Sequence, residues 1–460
     1  MGIIWPQRLL RISTTSSSRT NNGGCACTTN AVPRLLRLQL QKNGPDNNKN
    51  NARAIRRLRR FSSLRSIDKE KSGKEHSEDT TNSNATKLHI LGSGSIGLFL
   101  AASLRAALPS YPVQLLLRQM LLRDHHLPKL KVCPNSSGTG TGTDTGGQSS
   151  CITVSLKRKL HPQGPPIPVM IPVPVQLIST TNKGTPPIQT LLVTTKAFQA
   201  VPALQSIRHL IDHQTQIIVL CNGGLAVQEE IQSVCGSLGI ATDRKRVVQL
   251  ASITHGVHKE ESTATATTSR TTDSVDTLYR ITQEGVGHVY LSDPKIADIL
   301  DQANLNCRVL DQANLETHIW YKLAANCVCN PLTTLHQCTN GELSQKVKAF
   351  PSKMHDVLQE ICLAHRIVTD VKQQQQQQQP NQQKQPLEYG PLYNFVEKVI
   401  EDNASNTTSM LQDVLHKRPT EIDYLNGYVV RVGDKQGLDF VMNRQLCLQI
   451  QKLEQQYYDS

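Results

Sequence analysis

The sequence predicts an α/β fold in which a doubly wound, mostly parallel sheet is followed by an all-helical half. Three observations carry that expectation. The run KLHILG leads through the glycine-rich GSGSIG into the helix-patterned GSIGLFLAASLRAAL. Short apolar runs bounded by turn residues recur at VQLLL, TLLVT and QIIVL. Beyond about Asp293, strand-like runs give way to long helical patterns.

Taken in order, KLHILG is a strand, the segment after it a helix, and Val113–Leu117 the next strand, which makes an opening β-α-β unit. From Gln119 to Gln189 the pattern weakens. SSGTGTGTDTGGQSS (Ser136–Ser150) is low-complexity, and PQGPPIPVMIPVPV alternates proline with apolar residues, which suits an extended edge better than a central strand. Strands return at Thr190–Thr194, Gln216–Leu220 and Val247–Thr254, and Ser262–Ser274 (STATATTSRTTDS) is an expanded hairpin loop. EGVGHVYLSD closes this half, and ADILDQANLNCRVL gives a helix and a short extended piece. Helices are expected through WYKLAANCVCNPLTT, at Val347–Val371 and Leu392–Asp402, and finally at Glu421–Lys435 and Asn443–Tyr457. The domains are then a leader and linker over 1–86, a nucleotide-binding α/β domain over 87–295 with an insert at 119–189, and a helical domain over 296–460 with a Gln-rich insert at 372–386.

The net charge of +13 is concentrated at the start of the chain. Residues 1–65 hold 11 Arg and 2 Lys against Asp46, a net +12 that leaves +1 for 66–460. The body gives no case for a nucleic-acid surface, and its apolar runs are too short to cross a bilayer. The Arg-rich, Ser-rich, acid-poor beginning has the composition of an organellar transit peptide, with a basic tail of no address as the alternative. A mitochondrial matrix location is expected, with plastid or cytoplasm as alternatives. Residues 66–86 are polar linker. The 12 cysteines contain no C-x-x-C pair, so no metal site is expected, and ordinary reduced thiols are the default.

Gly92-Ser93-Gly94-Ser95-Ile96-Gly97 is G-x-G-x-x-G between a strand and a helix, the context in which such a turn cradles a dinucleotide pyrophosphate at a helix N-terminus. The second strand ends in Arg118, with no acid until Asp124. An arginine there suits the 2′-phosphate of NADPH where NAD sites place a carboxylate, although an ordinary surface arginine would look the same. Lys196 and Asn222 each follow a strand at its C-terminal end, where ligands of open sheets bind.

In the helical half, Lys322, Asn326 and Asn330 lie four apart on a helix otherwise made of LAA and CVC. An unpaired buried amide costs about 1–3 kcal/mol, and a buried ammonium more, so three in line argue for a polar cavity beside them. Pro331 is expected to break or kink this helix just past Asn330. In NTTSMLQDVLHKRPTEIDYLNG (Asn406–Gly427), Asn406, Ser409 and Asp413 form a first cluster. Thr420 and Glu421 then open a helix as N-cap and first-turn acid.

These segments resemble the ketopantoate reductase (2-dehydropantoate 2-reductase) family over nearly all of Lys87–Gln455 outside the inserts. GSGSIG, TTKAFQ and NGG are similar to its cofactor motifs, and WYKLAANCVCNPLTTLHQCTNGEL and SMLQDVLHKRPTEIDYLNG to its substrate and catalytic signatures. The resemblance implies a Rossmann domain followed by a helical domain of the 6-phosphogluconate-dehydrogenase type, and NADPH-dependent reduction of a small 2-oxo acid. It implies that Lys322 is the general acid, that Asn326, Asn330, Asn340, Asn406 and Ser409 bind substrate, and that Glu421 orients cofactor and catalytic groups. Lys196, Asn222 and Val257 are implied to contact cofactor, Val257 through its backbone, and a homodimer is possible. A reductase of another 2-oxo acid and a non-catalytic NADPH-binding sensor are the competing functions.

Overall fold

The computed structural model describes residues 87–118, 131–132, 150–158, 167–178, 186–238, 248–260, 278–349, 351–375 and 386–458. The expected leader and linker, the Gly/Thr-rich run before Ser150, the Ser262–Ser274 loop and most of the Gln-rich insert lie outside them.

The chain opens as expected with β1 (Leu88–Leu91), α1 (Ser95–Ala107) and β2 (Val113–Arg118). Next come β3 (Lys131–Val132), β4 (Ser150–Arg158), β5 (Ile167–Ile178) and β6 (Thr190–Val193). A short 3-10 turn (Ala197–Gln199) then leads into α2 (Ala200–Ser206), followed by β7 (Gln216–Val219), α3 (Gly224–Leu238) and β8 (Val248–Leu250). The expected single strand over Val247–Thr254 is two, β8 and β9 (Ser252–Ile253). Then β10 (Gly256–Glu260), β11 (Leu278–Gly285), β12 (Val289–Leu291), α4 (Pro294–Gln302) and β13 (Cys307–Val309) complete the first half.

Among the described residues, one sheet runs in the order β10-β11-β4-β5-β2-β1-β6-β7-β8, with β3 paired to β4. From β5 through β8 on this path every pairing is parallel. β1 and β6 are buried along their whole length, as strands covered on both faces must be. The chain leaves β1 for β2 on one side and reaches β6 on the other, so the crevice beyond the C-terminal ends of β1 and β6 is the topological switch point.

The proline-alternating segment corrects the sequence reading. β5 is interior, parallel to β2 on one side and antiparallel to β4 on the other. Pro168, Pro172 and Pro174 all occupy even positions, so their missing N–H groups fall on one edge of the strand. β2 pairs with β5 only from Val175 onward, past the last of these prolines. The 119–189 insert is therefore partly sheet.

The helical half contains α5 (Gln312–His336), α6 (Asn340–Ala349), α7 (Pro351–Gln375), α8 (Tyr389–Asp402) and α9 (Ser409–Leu415). A 3-10 turn (Ile422–Tyr424), α10 (Asn426–Asp434) and α11 (Val441–Tyr458) end it. The expected Val347–Val371 helix is the end of α6 and the body of α7, separated at Pro351, which begins α7 as proline at a first helical position does. α7 runs into the Gln-rich segment as far as Gln375. The expected Glu421–Lys435 helix is split because Leu425, at φ −103° and ψ −97°, leaves helical geometry.

α5 is the spine of this half. Asp311 caps its N-terminus by accepting from the Asn314 N–H at 2.9 Å. The helix does not stop at Pro331. Proline cannot donate to the Cys327 carbonyl one turn back, and that carbonyl instead accepts from Asn426 Nδ2 at 3.0 Å. Asn426 is fully buried and also donates to Asn443 Oδ1 at 2.9 Å, and Asn443 Nδ2 donates to Glu360 at 2.7 Å. A side chain thus replaces the backbone donor that Pro331 lacks, and the helix continues to His336. One apolar cluster runs from Val193, Val219 and Val227 in the sheet half to Ile319, Trp320 and Val328 on α5. The two halves accordingly form one compact unit.

Candidate active site

Three loops meet at the switch point: the glycine turn after β1, Thr194–Lys196 after β6, and Asn222–Gly224 after β7. Gly92 has φ +123° and its Cβ would fall 2.8 Å from the Thr195 nitrogen; a Cβ on Gly97 would fall 1.8 Å from the Gly92 oxygen. These two glycines are required by the turn and by helix–strand packing. Gly94 differs, since a Cβ there meets nothing closer than 4.0 Å. The space over it is open, as a turn that cradles a pyrophosphate needs. Thr194 Oγ1 donates to the Leu91 carbonyl at 3.0 Å and ties the end of β6 to this turn. Ser95 and Ile96 begin α1, whose cap makes no side-chain hydrogen bond and whose first turn has no acid, so its N-terminus keeps its positive character. Arg118 closes β2, the position expected for it.

Two carboxylates from the helical half reach across to the strand ends. Glu421 Oε1 accepts from the Ala197 N–H at 2.9 Å, and its Oε2 accepts from Asn222 Nδ2 at 3.3 Å and lies 3.7 Å from Lys196 Nζ. Asp413 receives Lys196 Nζ at 2.5 Å and Arg418 Nε at 3.2 Å. The expected first-turn acid role of Glu421 is corrected: it precedes a 3-10 turn, its side chain makes no cap, and its carboxylate faces the sheet half. Thr420 Oγ1 does accept from the Ile422 N–H, at 3.3 Å. Gly223, at φ +65°, also meets the helical half: a Cβ there would lie 2.6 Å from the Tyr424 oxygen. Close approach at Gly223 serves the contact between the halves.

Beside these contacts lies a narrow cleft lined by Asn222, Lys322 and Asn326 together with Cys221, Ser252 and Leu250. Lys322 Nζ donates to the Ile253 carbonyl at 2.8 Å. Burial pushes its ammonium down to about 8, against the opposing pull of the Glu421 carboxylate. Burial, with the Glu421 charge added, pushes the Cys221 thiol up, so it stays protonated and offers no competing nucleophile.

The structure adds His318 and Ser252, which the sequence reading lacks, although His318 precedes Lys322 by the same four-residue step that links Lys322, Asn326 and Asn330. His318 Nε2 and Ser252 Oγ are 3.2 Å apart, and the ring packs 3.9 Å from that of Tyr290. Burial first, then Lys322 and His288, push His318 down to about 4, so it is neutral beside the lysine.

The other expected residues are not among those lining the cleft. Asn330 is buried on α5 one turn past Asn326, and its carbonyl accepts from Thr334 Oγ1 at 2.7 Å. The next turn is tied to α9 through the 2.7 Å contact of Thr333 and Thr408 hydroxyls, which sets Ser409, exposed at the start of α9, beside it. Asn340 and Asn406 meet each other, the Asn340 N–H donating to the Asn406 carbonyl at 3.1 Å, while Asn340 Oδ1 is buried without a hydrogen-bond partner. Val257 sits half-buried on β10, opposite Gln283, and is not among the residues lining the cleft. Cys327 and Cys329 are packed in the core of α5. Among the described residues no cluster of His, Cys, Asp and Glu could hold a metal ion, and no helix is long and apolar enough to cross a membrane.

Comparison with known proteins places this arrangement. Residues 166–276 match the family model described as ketopantoate reductase PanE/ApbA, and residues 314–454 match its C-terminal model. A 2-dehydropantoate 2-reductase of Vibrio cholerae is 31% identical over 275 residues, covering 58% of this chain and 78% of the relative. The enzyme of the same name from Saccharomyces cerevisiae is 26% identical over 376 residues, 76% of this chain and 89% of the relative. In fold, a PanE/ApbA family ketopantoate reductase from Ralstonia eutropha aligns with a TM-score of 0.55 at 17% identity, covering 81% of this chain and all of that one. A D-mandelate dehydrogenase solved with NADH and anilino(oxo)acetate also aligns at 0.55, with 18% identity, over 81% of this chain and 99% of its own. With its Rossmann-type sheet, its helical second half and both family signatures in place, the chain belongs to the ketopantoate reductase family.

Proposed function

We propose that this chain is an NADPH-dependent reductase that converts 2-dehydropantoate to (R)-pantoate, the step that feeds pantothenate and coenzyme A synthesis. The observation that carries the reading is Lys322: a half-buried ammonium with its pKa lowered to about 8, in a cleft shared with Asn326 and the strand-end Asn222. The residues fit a dinucleotide, since the turn at Gly94 is open and the N-terminus of α1 carries no acid. Gly92 to Gly97, Lys196, Asn222, Glu421 and the Val257 backbone would hold the cofactor. Arg118, at the end of β2, supports NADPH over NADH by its charge and forked geometry.

A bound reduced nicotinamide supplies the hydride for the ketone carbon. Negative charge then grows on the ketone oxygen, and Lys322 stabilises it and donates a proton. A pKa near 8 keeps the lysine protonated at neutral pH while making it a better acid than an exposed lysine, a contribution of about 10²–10⁴-fold. The Ile253 carbonyl aims the ammonium, and the Glu421 carboxylate favours its charged state. Asn326, Asn330 and Ser409 offer amides and a hydroxyl to the carboxylate and hydroxyl of the substrate, with Asn340 and Asn406 supporting that end. A homodimer and import into the mitochondrial matrix belong to the same proposal; the latter rests on the Arg-rich residues 1–65.

The test is the purified full-length chain with NADPH and 2-dehydropantoate, compared with other 2-oxo acids by kcat/KM. The expected result is NADPH oxidation with 2-dehydropantoate as the preferred acid. No oxidation above the Lys322→Ala background removes the reading. A fusion of residues 1–86 to a fluorescent protein tests the address, and a diffuse cytoplasmic signal refutes import.

A further inference from the structure

Lys259 lies on β10, two residues beyond Val257, yet its Nζ donates to the carbonyl of Ser93, the residue between the first two glycines of the turn, at 3.3 Å. β10 is joined to the rest of the sheet through β11, and Tyr279 on that neighbouring strand supports the lysine: Nζ lies 4.8 Å from the centre of the Tyr279 ring. The edge strand at one end of the sheet therefore delivers a cation to the turn at the sheet's centre.

The location has two properties that bear on what the ammonium meets. The N-terminus of α1 presents backbone N–H groups with no side-chain cap and no first-turn acid. The surface over Gly94 is open, since a Cβ at that position would meet only the Thr194 carbonyl oxygen, at 4.0 Å. We propose that Lys259 is a further cofactor-binding residue, which pairs with the diphosphate of the dinucleotide seated on the glycine turn. The diphosphate is favoured over the 2′-phosphate because the contact is to the turn itself, whereas the ribose end belongs to the C-terminus of β2. The inference rests on the dinucleotide reading of the site and adds a charge to it that neither the glycine motif nor Arg118 provides.

The experiment measures binding of NADPH and of NADH to the full-length chain by nicotinamide fluorescence, for wild type, Lys259→Met and Lys259→Arg. Methionine keeps the apolar stem over Tyr279 and removes the charge. Loss of a charge-assisted hydrogen bond weakens binding by about tenfold or more. The expected result is that Lys259→Met loses the same factor for both nucleotides, that Lys259→Arg recovers most of it, and that thermal unfolding without nucleotide is unchanged. Lys259→Gln serves if the methionine variant does not fold, with the same expectation. Unchanged affinity overturns the proposal. A loss confined to NADPH also overturns it, because it assigns the ammonium to the 2′-phosphate. Wild-type protein that binds neither nucleotide overturns the dinucleotide reading and the Lys259 role together, whereas normal wild-type binding with a silent Lys259→Met variant removes only the latter.

Discussion

The continuity of α5 through Pro331 makes a quantitative prediction. Replacing Asn426 with leucine keeps the side-chain shape and removes the donor. The Cys327 carbonyl and Asn443 Oδ1 then lose the amide that reaches them at 3.0 and 2.9 Å. One penalty is relieved, because Asn426 Oδ1 is itself buried without a partner. Each unpaired buried group costs about 1–3 kcal/mol, so two lost against one relieved leaves a net destabilisation of about 1–3 kcal/mol. The specific test is the double variant. Pro331→Ala restores a backbone N–H to the Cys327 carbonyl, so Asn426→Leu should cost about 1–2 kcal/mol less in that background. Equilibrium urea unfolding followed by Trp320 fluorescence measures it, since Trp320 is fully buried on the same helix. Additivity of the two substitutions within about 0.5 kcal/mol would falsify the argument that the amide stands in for the missing donor.

The glycines of the turn should separate fold from binding. Gly97→Ala drives a methyl to 1.8 Å from the Gly92 oxygen and is expected to lower the unfolding temperature, whereas Gly94→Ala meets nothing closer than 4.0 Å. Gly94→Ala should therefore melt as wild type yet bind NADPH more weakly by calorimetry; undiminished binding contradicts the open-cradle reading. Glu421→Gln removes a negative charge that raises the Lys322 pKa, so the alkaline limb of the pH–rate profile should move below its wild-type position near pH 8. A limb that stays in place or moves up removes Glu421 from the electrostatics of the lysine.

Local chemistry makes much of this molecule legible. The β1-turn-α1 unit, the strand ends carrying Lys196 and Asn222, and the polar line of α5 all follow from short-range patterns. The differences between expectation and structure share another cause. The prolines of β5 point to an edge strand because proline is in general excluded from a central one; what decides is which edge the prolines face and how far the neighbour extends, and β2 supplies that only from Val175 onward. Pro331 reads as a helix breaker because its remedy, Asn426, lies 99 residues from the carbonyl it satisfies. Glu421 reads as a local first-turn acid, while its partner Ala197 is 224 residues away. The acceptor that aims Lys322 is a backbone carbonyl and has no side-chain signature at all. Asp413 stands out beside Ser409 by its spacing, but its pairing with Lys196 requires the fold. Contact between distant segments is what stays hidden in the sequence; periodicity and the chemistry of single turns are what it displays.

With Lys322 as the acid of the ketone reduction, the pH dependence of kcat/KM with NADPH and 2-dehydropantoate is the decisive measurement. The reductive direction needs the protonated lysine, so the rate should be level below, and fall above, a pKa of about 8. Lys322→Ala should lower kcat by about 10²–10⁴-fold and abolish that limb. A Lys322→Ala enzyme that keeps the wild-type kcat, or that keeps the same alkaline limb, contradicts the assignment.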